Sequence, residues 1–297
     1  MEEIVNFDTV AKYNAFNKNE TKHPLVSIVH LEKADVRRNR RLRYEFYTVF
    51  LKKVHCGDLR YGLNNYDYEE GTLIFLAPGQ VIGQNSDDYY QPQGLALVFH
   101  PDLLIGTSLE KNMDMYHFFS YAVNEALHLS EQERKIILDC LSKIDYELQH
   151  AIDKHSKQLI VANIELFLGY CTRFYDRQFI TRDNANRGIL EKFENSLNSY
   201  FTSEKPRSLG LPTVLYFAEE MHLSVNYFGD LIKKETGSSA QDYIQSKVIQ
   251  IAKTKIFDIN KSISEIAYEL GFKYPQHFSR LFKQKTGVTP NEYRNSN

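Results

Sequence analysis

The stretch FAEEMHLSVNYFGDLIKKETG, residues 217–237, returns in altered form as IAYELGFKYPQHFSRLFKQKTG, residues 266–287. Ala218 aligns with Ala267, Met221 with Leu270 and Leu223 with Phe272 at an offset of 49. One extra residue in the second turn moves the offset to 50. Phe228, Leu231, Lys233 and Thr236-Gly237 then match Phe278, Leu281, Lys283 and Thr286-Gly287, and Tyr243 and Tyr293 keep that register. Two copies are too few for a stacked solenoid, so the pattern is a duplicated unit. Each copy predicts a helix, a tight turn and a second helix.

In the second copy Ser262 and Glu265 form a capping box, and Ile263, Ile266, Ala267 and Leu270 make one apolar face. Gly271 suits the turn after that helix, and Pro275 the first turn of the next, where a missing N–H costs nothing. Phe278, Leu281 and Phe282 share an inward face. At 3.6 residues per turn Gln276, Arg280 and Lys283 then lie opposite, flanked by His277 and Gln284. Gln and Arg are the side chains that pair bidentately with adenine and guanine edges in the major groove. Thr289 to Glu292 forms another capping box and opens a third short helix carrying Tyr293. Between the copies, residues 239–257 predict a long helix with Tyr243, Ile244, Val248, Ile251, Ala252 and Ile256 on one stripe. About 18 residues at ~1.5 Å each span roughly 27 Å, the scale of one DNA turn. One such helical pair is often no more than two packed helices. Its recurrence, with matched turns and a polar, partly basic outer face, favours a nucleic-acid reader.

These residues resemble the C-terminal DNA-binding domain of the AraC/XylS family of bacterial transcription regulators. The likeness is carried by ISEIAYELGFKYPQHFSRLFKQKTGVTPNEYR (263–294) and by LSVNYFGDLIKKETG (223–237), and covers about the last 90 to 105 residues. It implies double-stranded promoter DNA as partner, with Lys273, Tyr274, Gln276, His277, Arg280 and Lys283 facing the groove or the phosphates. In the first unit it implies outward positions at Ser224, Asn226, Tyr227, Gly229, Asp230 and Lys233. Gly229 and Asp230 depart from the many relatives that carry Gln or Arg there. An acidic side chain at that place repels phosphate and at best accepts from cytosine N4. The family likeness further implies a transcription regulator that responds to a small-molecule effector and contacts RNA polymerase.

The rest of the chain reads differently. Residues 43–54 (RYEFYTVFLKKV), 59–63, 72–77 and 95–100 are short aromatic and β-branched runs separated by turn residues, which predicts a small barrel or sandwich. From about residue 120 the texture becomes helical. A capping box at Ser130 and Glu133 opens one helix, and Leu159, Ile160, Ile164, Phe167, Leu168, Cys171 and Phe174 mark a second, antiparallel to the first. This pair has apolar surface for both a core and a homodimer seam. The polar stretch 181–188 (TRDNANRG) is the expected linker. This N-terminal part resembles, more loosely, the family's cupin-like sensing and dimerisation domain. The expectation is therefore an α+β chain of two domains. Residues 1–185 form the first, with a cupin-like β-barrel over about 20–115 and an antiparallel helix pair over about 116–180. Residues 186–297 form an all-α domain with helix-turn-helix units at about 211–237 and 262–287, joined by the helix 239–257.

Other chemistries find little support. The 297 residues carry 36 Lys+Arg against 38 Asp+Glu, but the balance is uneven. Residues 1–190 hold 22 against 26, and residues 191–297 hold 14 against 12. The near-neutral whole hides an acidic first part and a weakly basic reader. Cys56, Cys140 and Cys171 are odd in number and widely spaced, fitting neither a disulfide framework nor a metal knuckle, and a reducing cytosol is the simplest compartment. The start MEEIVNFD has no signal-peptide character, and no apolar run is long enough to span a bilayer. No HxH pair occurs among ten histidines, with His55 and His100 isolated, so no metal, cofactor or catalytic residue is assigned. A barrel enzyme fused to a DNA-binding domain, or a regulator answering to a protein partner, are the alternatives. The densest basic run, Arg37 to Arg43, reads as a solvated hairpin tip or as a contact for an acidic effector or macromolecular partner. Arg43, Tyr44, Phe46, Tyr47 and Phe50 are candidates to line a pocket.

Overall fold

Residues 4–38, 40–52, 71–83, 89–122, 125–150, 153–181 and 183–295 are described by a computed structural model, which divides into two units, Met1–Thr181 and Arg182–Asn297. The first unit holds strands β1 (Ile4–Phe7), β2 (Val26–His30), β3 (Arg37–Arg38), β4 (Arg41–Tyr44), β5 (Tyr47–Lys52), β6 (Thr72–Leu76), β7 (Val81–Ile82), β8 (Tyr89–Tyr90), β9 (Leu95–Phe99) and β10 (Leu127–His128). Its helices are α1 (Val10–Phe16), α2 (Pro101–Leu104), α3 (Ser108–Asn112), α4 (Glu131–Gln149) and α5 (Ser156–Thr181). Five strands pair antiparallel in the order β10-β6-β5-β9-β2. Val29, Ala96, Phe50 and Ile74 line up across this sheet, and so do Ile28, Leu97, Val49 and Phe75 on the alternate row. The first row joins a core with Phe7, Tyr13 and Tyr44. On the second, Phe75 packs 4.5 Å from Phe118 and 6.1 Å from Tyr175 of α5, ring centre to ring centre. Both rows are buried, and that is why these strands read as unbroken apolar runs instead of alternating ones.

The expected cupin-like barrel does not close among the described strands. β2 and β10 remain the two edges of the five-stranded sheet, while β1-β4-β7 and β3-β8 pair separately. The run 43–54, read as one strand, is two. Tyr44 ends β4 in the small sheet, the chain turns at Glu45-Phe46, and Tyr47 begins β5 in the large one. Both halves are aromatic and buried, so hydrophobicity alone gave no sign of the change of sheet. Where α-helix was expected from about 116, the described residues up to 130 hold a 3₁₀ turn (His117–Ser120) and β10, and Ser130 then caps α4 through the predicted capping box. The predicted strand 59–63 lies outside the described residues, as do His55 and Cys56.

The basic run is built into this unit. Arg37 and Arg38 pair with Tyr90 and Tyr89 across β3 and β8, Arg38 Nε donates to the Tyr89 hydroxyl at 2.9 Å, and Arg43 pairs with Glu45 at 2.8 Å. Tyr44, Phe46 and Phe50, candidates for a pocket lining, are core residues at 1%, 0% and 7% exposure.

The second unit is all helix: α6 (Asp183–Thr202), α7 (Lys205–Leu209), α8 (Val214–Glu220), α9 (Val225–Thr236), α10 (Ala240–Lys255), α11 (Ile263–Glu269), α12 (Pro275–Thr286) and α13 (Pro290–Asn295). The stretch read as a polar linker is helical from Asp183 onward, and Asn186 within it is buried with its amide 3.5 Å from the Glu235 carboxylate. A side-chain partner thus holds in helix a sequence whose composition favours a loop. Hydroxyls cap the helices: Thr213 on α8, Ser224 on α9, Ser239 on α10 and, in a full capping box with Glu265, Ser262 on α11. α10 has 16 residues, about 24 Å at ~1.5 Å each, slightly shorter than the 239–257 expected. No helix among the described residues is long and apolar enough to cross a membrane.

Candidate nucleic-acid interface

The second helix of the second unit, α12, is fixed from beneath. Phe278 and Phe282 are fully buried, Phe272 and Tyr293 pack on them with ring centres 5.3 and 5.4 Å away, and Ile266, Ala267 and Leu270 of the preceding segment complete the core. With that face sealed, Gln276, His277, Arg280, Lys283 and Gln284 all emerge into solvent, as the helical spacing predicted. Arg280 has no hydrogen-bond or ion-pair partner among the described residues, so its fork of donors is available. At the helix start Pro275 occupies the first turn, and Lys273 and Tyr274 are exposed just before it. The Lys273 ammonium sits 5.8 Å from the Tyr274 ring centre, and Tyr274 meets His277 edge-on at 5.4 Å. The result is a cationic, aromatic corner beside the N-terminus of α12, an end that favours anions through its unpaired N–H groups.

The matching helix of the first unit, α9, is turned differently. Phe228, Leu231 and Ile232 are fully buried, and Tyr227 joins them at 4% exposure. Tyr227 was expected to face outward, and the structure corrects this. The buried arc of α9 extends one column further than that of α12, where the matching His277 is exposed and Leu281 only half-buried. Ser224 is also committed, its hydroxyl accepting from the Tyr227 N–H at 3.3 Å as the helix cap. Asn226 and Lys233 are exposed, while Gly229 and Asp230 are half-buried. Space is open around Gly229: a Cβ built there meets nothing within 4 Å.

Carboxylates pin the frame. Glu269 of α11 is 12% exposed and lies 2.6 Å from the Lys261 ammonium, 2.9 Å from the Arg207 guanidinium and 3.1 Å from the Lys255 ammonium. The hydrogen bond from Lys261, reinforced by Lys255, holds its carboxyl down at about 2. Asp242 at the start of α10 is likewise lowered, by the Ser239 hydroxyl and by Lys285 of α12 at 3.2 Å. In the first half of the domain Tyr243 is driven up to about 12 by burial and by its hydrogen bond to Glu194. Spacing in the sequence gave no hint of the Glu269 cluster, because its four charges come from α7, α10, α11 and a loop.

Elsewhere, His100 caps α2 by accepting from the Asp102 N–H at 3.2 Å, a structural duty. Among the described residues no group of three or more His, Cys, Asp or Glu side chains is placed to hold a metal ion.

Residues 217–296 match a family model described as a helix-turn-helix domain. The chain is 35% identical over 77 residues to an HTH-type transcriptional regulator of Bacillus subtilis, YtdP, a match that spans 26% of this chain and only 10% of that protein. It is 22% identical over 231 residues to the HTH-type regulator YijO of Escherichia coli, covering 76% of each. It is 21% identical over 245 residues to the HTH-type transcriptional activator RhaS of Mannheimia succiniciproducens, covering 81% of this chain and 84% of that one. Taken with the doubled helix-turn-helix, these relations show an AraC-type helix-turn-helix domain over residues 217–296, in a chain that is otherwise similar to HTH-type transcriptional regulators at 21–22% identity.

Proposed function

We propose that the protein is an effector-responsive transcriptional activator that docks α12 in the major groove of promoter DNA. Arg280 and Gln276 read base edges, Lys283 and Lys273 meet phosphates, and Tyr274 and His277 line the groove wall. α9 contributes less. Asn226 and Lys233 touch DNA, Ser224 orients the helix start as its cap, and Asp230 opposes the backbone charge. The β-rich unit senses a small molecule and pairs with a second copy. Effector binding shifts the population of arrangements in which the reading domains engage DNA and RNA polymerase. The acidic first part and the reducing compartment expected of its cysteines fit a cytoplasmic regulator.

The observation that carries this reading is the outer face of α12, where Arg280 stands exposed and unpaired opposite the buried Phe278 and Phe282. A bidentate Arg–guanine contact is worth about 1–3 kcal/mol of discrimination. Duplexes selected by the full-length protein from a random library provide the probe. Arg280→Ala should lose tenfold or more in gel-shift affinity for the selected sequence, and its preference over random DNA should collapse. Unchanged affinity and preference would reject the assignment.

A further inference from the structure

The backbone just ahead of the first helix-turn-helix unit meets the turn of the second. Gly210 ends α7 with φ 85°, just ahead of α8, and Gly271 forms the turn of the second unit with φ 92°. A Cβ at Gly271 would lie 2.6 Å from the Gly210 carbonyl carbon, 2.7 Å from its oxygen and 2.9 Å from the Leu211 nitrogen. No side chain fits there, and the φ angle is one that L residues rarely adopt. The Gly210 carbonyl is held from behind by the Tyr200 hydroxyl of α6 at 2.9 Å. Beside this contact Glu269 joins Arg207 of α7 to Lys255 of α10 and to Lys261. Phe201 and Leu211, from the first half of the domain, pack into the core of the second unit. Lys285 of α12 adds a brace to Asp242 at the start of α10.

We propose that the Gly210–Gly271 contact, clamped by the Arg207–Glu269 ion pair, sets the relative pitch of α9 and α12, so that the protein accepts a single spacing between the two DNA segments it contacts. Gly210, Gly271, Arg207 and Glu269 are positioning residues, acting on DNA only through the helices they hold. The end of α10 already lies in the core of the second unit through Val248, Ile249, Ala252 and Ile256. The contact at Gly210 and Gly271 is a second tie, joining that core to the segment just ahead of α8. One inserted base pair moves a site by ~3.4 Å and turns it by roughly 35°, more than two helices locked in one body can follow. The inference rests on the DNA-reading function proposed above.

The test uses the full-length protein and the duplex selected by the wild type, together with duplexes carrying one base pair added or removed between the two contacted segments. Wild type should lose about tenfold or more with either change. In Gly271→Ala and in Arg207→Met that penalty should fall to about threefold or less, with circular dichroism confirming fold. Arg207 is 55% exposed at its side chain, so its variant keeps a test in hand if Gly271→Ala does not fold. A merely structural role would weaken all duplexes equally and leave the ratio between spacings unchanged, and that result overturns the proposal. A flat spacing profile in the wild type also overturns it. If the wild type selects no sequence at all, the DNA-reading function falls first and this inference with it.

Discussion

α9 and α12 stand on the same scaffold and present different chemistry. The Thr236 and Thr286 hydroxyls both donate back to the fourth preceding carbonyl, Ile232 and Phe282, at 2.7 Å. The Gly237 and Gly287 N–H groups close the two helices on Lys233 and Lys283 at 2.9 and 2.8 Å, and Ser239 and Thr289 cap the helices that follow. Yet Asp230 stands where the second unit has Arg280, buried Tyr227 where it has exposed His277, and Gly229 where it has Ser279. Glu220 accepts from the Ser196 hydroxyl, while its counterpart Glu269 gathers three cations. The two helices are of equal build, whereas the base reading proposed for them is concentrated in one. The units are equals as structure, and the reading proposed for them is unequal.

Equality of build is the easier half to break. Phe228 and Phe278 occupy matching positions and are both fully buried. Truncating either should cost about 3–5 kcal/mol in urea unfolding, the usual loss for an emptied aromatic site. A Phe228→Ala variant much milder than Phe278→Ala would show that the first unit is the weaker scaffold.

Inequality of reading is sharpened at Asp230. Asp230→Arg gives the first unit the charge of the second and should tighten binding to the selected duplex by about tenfold. Each added phosphate contact steepens the dependence of log affinity on log salt by about 0.9, so the slope should grow by nearly one. Asp230→Ala removes the carboxylate without adding a cation and should change affinity little, or tighten it slightly. Weaker binding by both variants would mean that Asp230 itself reads a base.

How much of this was legible follows from where the information sits. The doubled unit, its caps and the exposed face of α12 could be read off the chain, because local spacing and capping chemistry fix them. Tyr227 was misplaced for a physical reason. Helical periodicity gives the centre of the buried arc, but its width depends on what packs against it, and that partner is distant in sequence. The same holds for the break at Glu45-Phe46, where two aromatic half-strands join different sheets, and for Glu269, whose partners lie between 8 and 62 residues away. The polar stretch 181–188 lies at the division between the units, yet it is helical from Asp183, because composition cannot register a hydrogen bond from Asn186 to Glu235.

The Glu220–Glu269 pair separates the units by acid. Glu269 has its carboxyl lowered from 4.5 to about 2 in the folded protein, so the folded state favours the ionised form. Its contribution to stability is complete above pH 4.5 and is lost as the pH falls toward 2. Urea midpoints measured across that window should fall more steeply for wild type than for Glu269→Gln, with Glu220→Gln as the matched control. Parallel curves for wild type and Glu269→Gln would mean that the three cations are satisfied by solvent.

The smallest effect tests the turns. His222 and Gly271 hold the same place, each with its N–H bonded three residues back at 3.0 Å and the next N–H reaching the helix at 2.9 Å. His222 adopts φ 57°, a left-handed conformation that costs an L residue about 1 kcal/mol or more. Glycine relieves that cost but gives the unfolded chain more freedom, so the two terms partly cancel. His222→Gly should therefore stabilise the domain by about 0.5 kcal/mol, a rise of a degree or two in Tm. The reverse change in the second unit is not its mirror image. Gly271→His meets the φ cost and, in addition, the Gly210 backbone 2.6 Å from the new Cβ, so it should destabilise by several times the gain at His222. Equal and opposite effects would mean that the two turns differ only in their backbone angle, and the contact between the units would then carry no load.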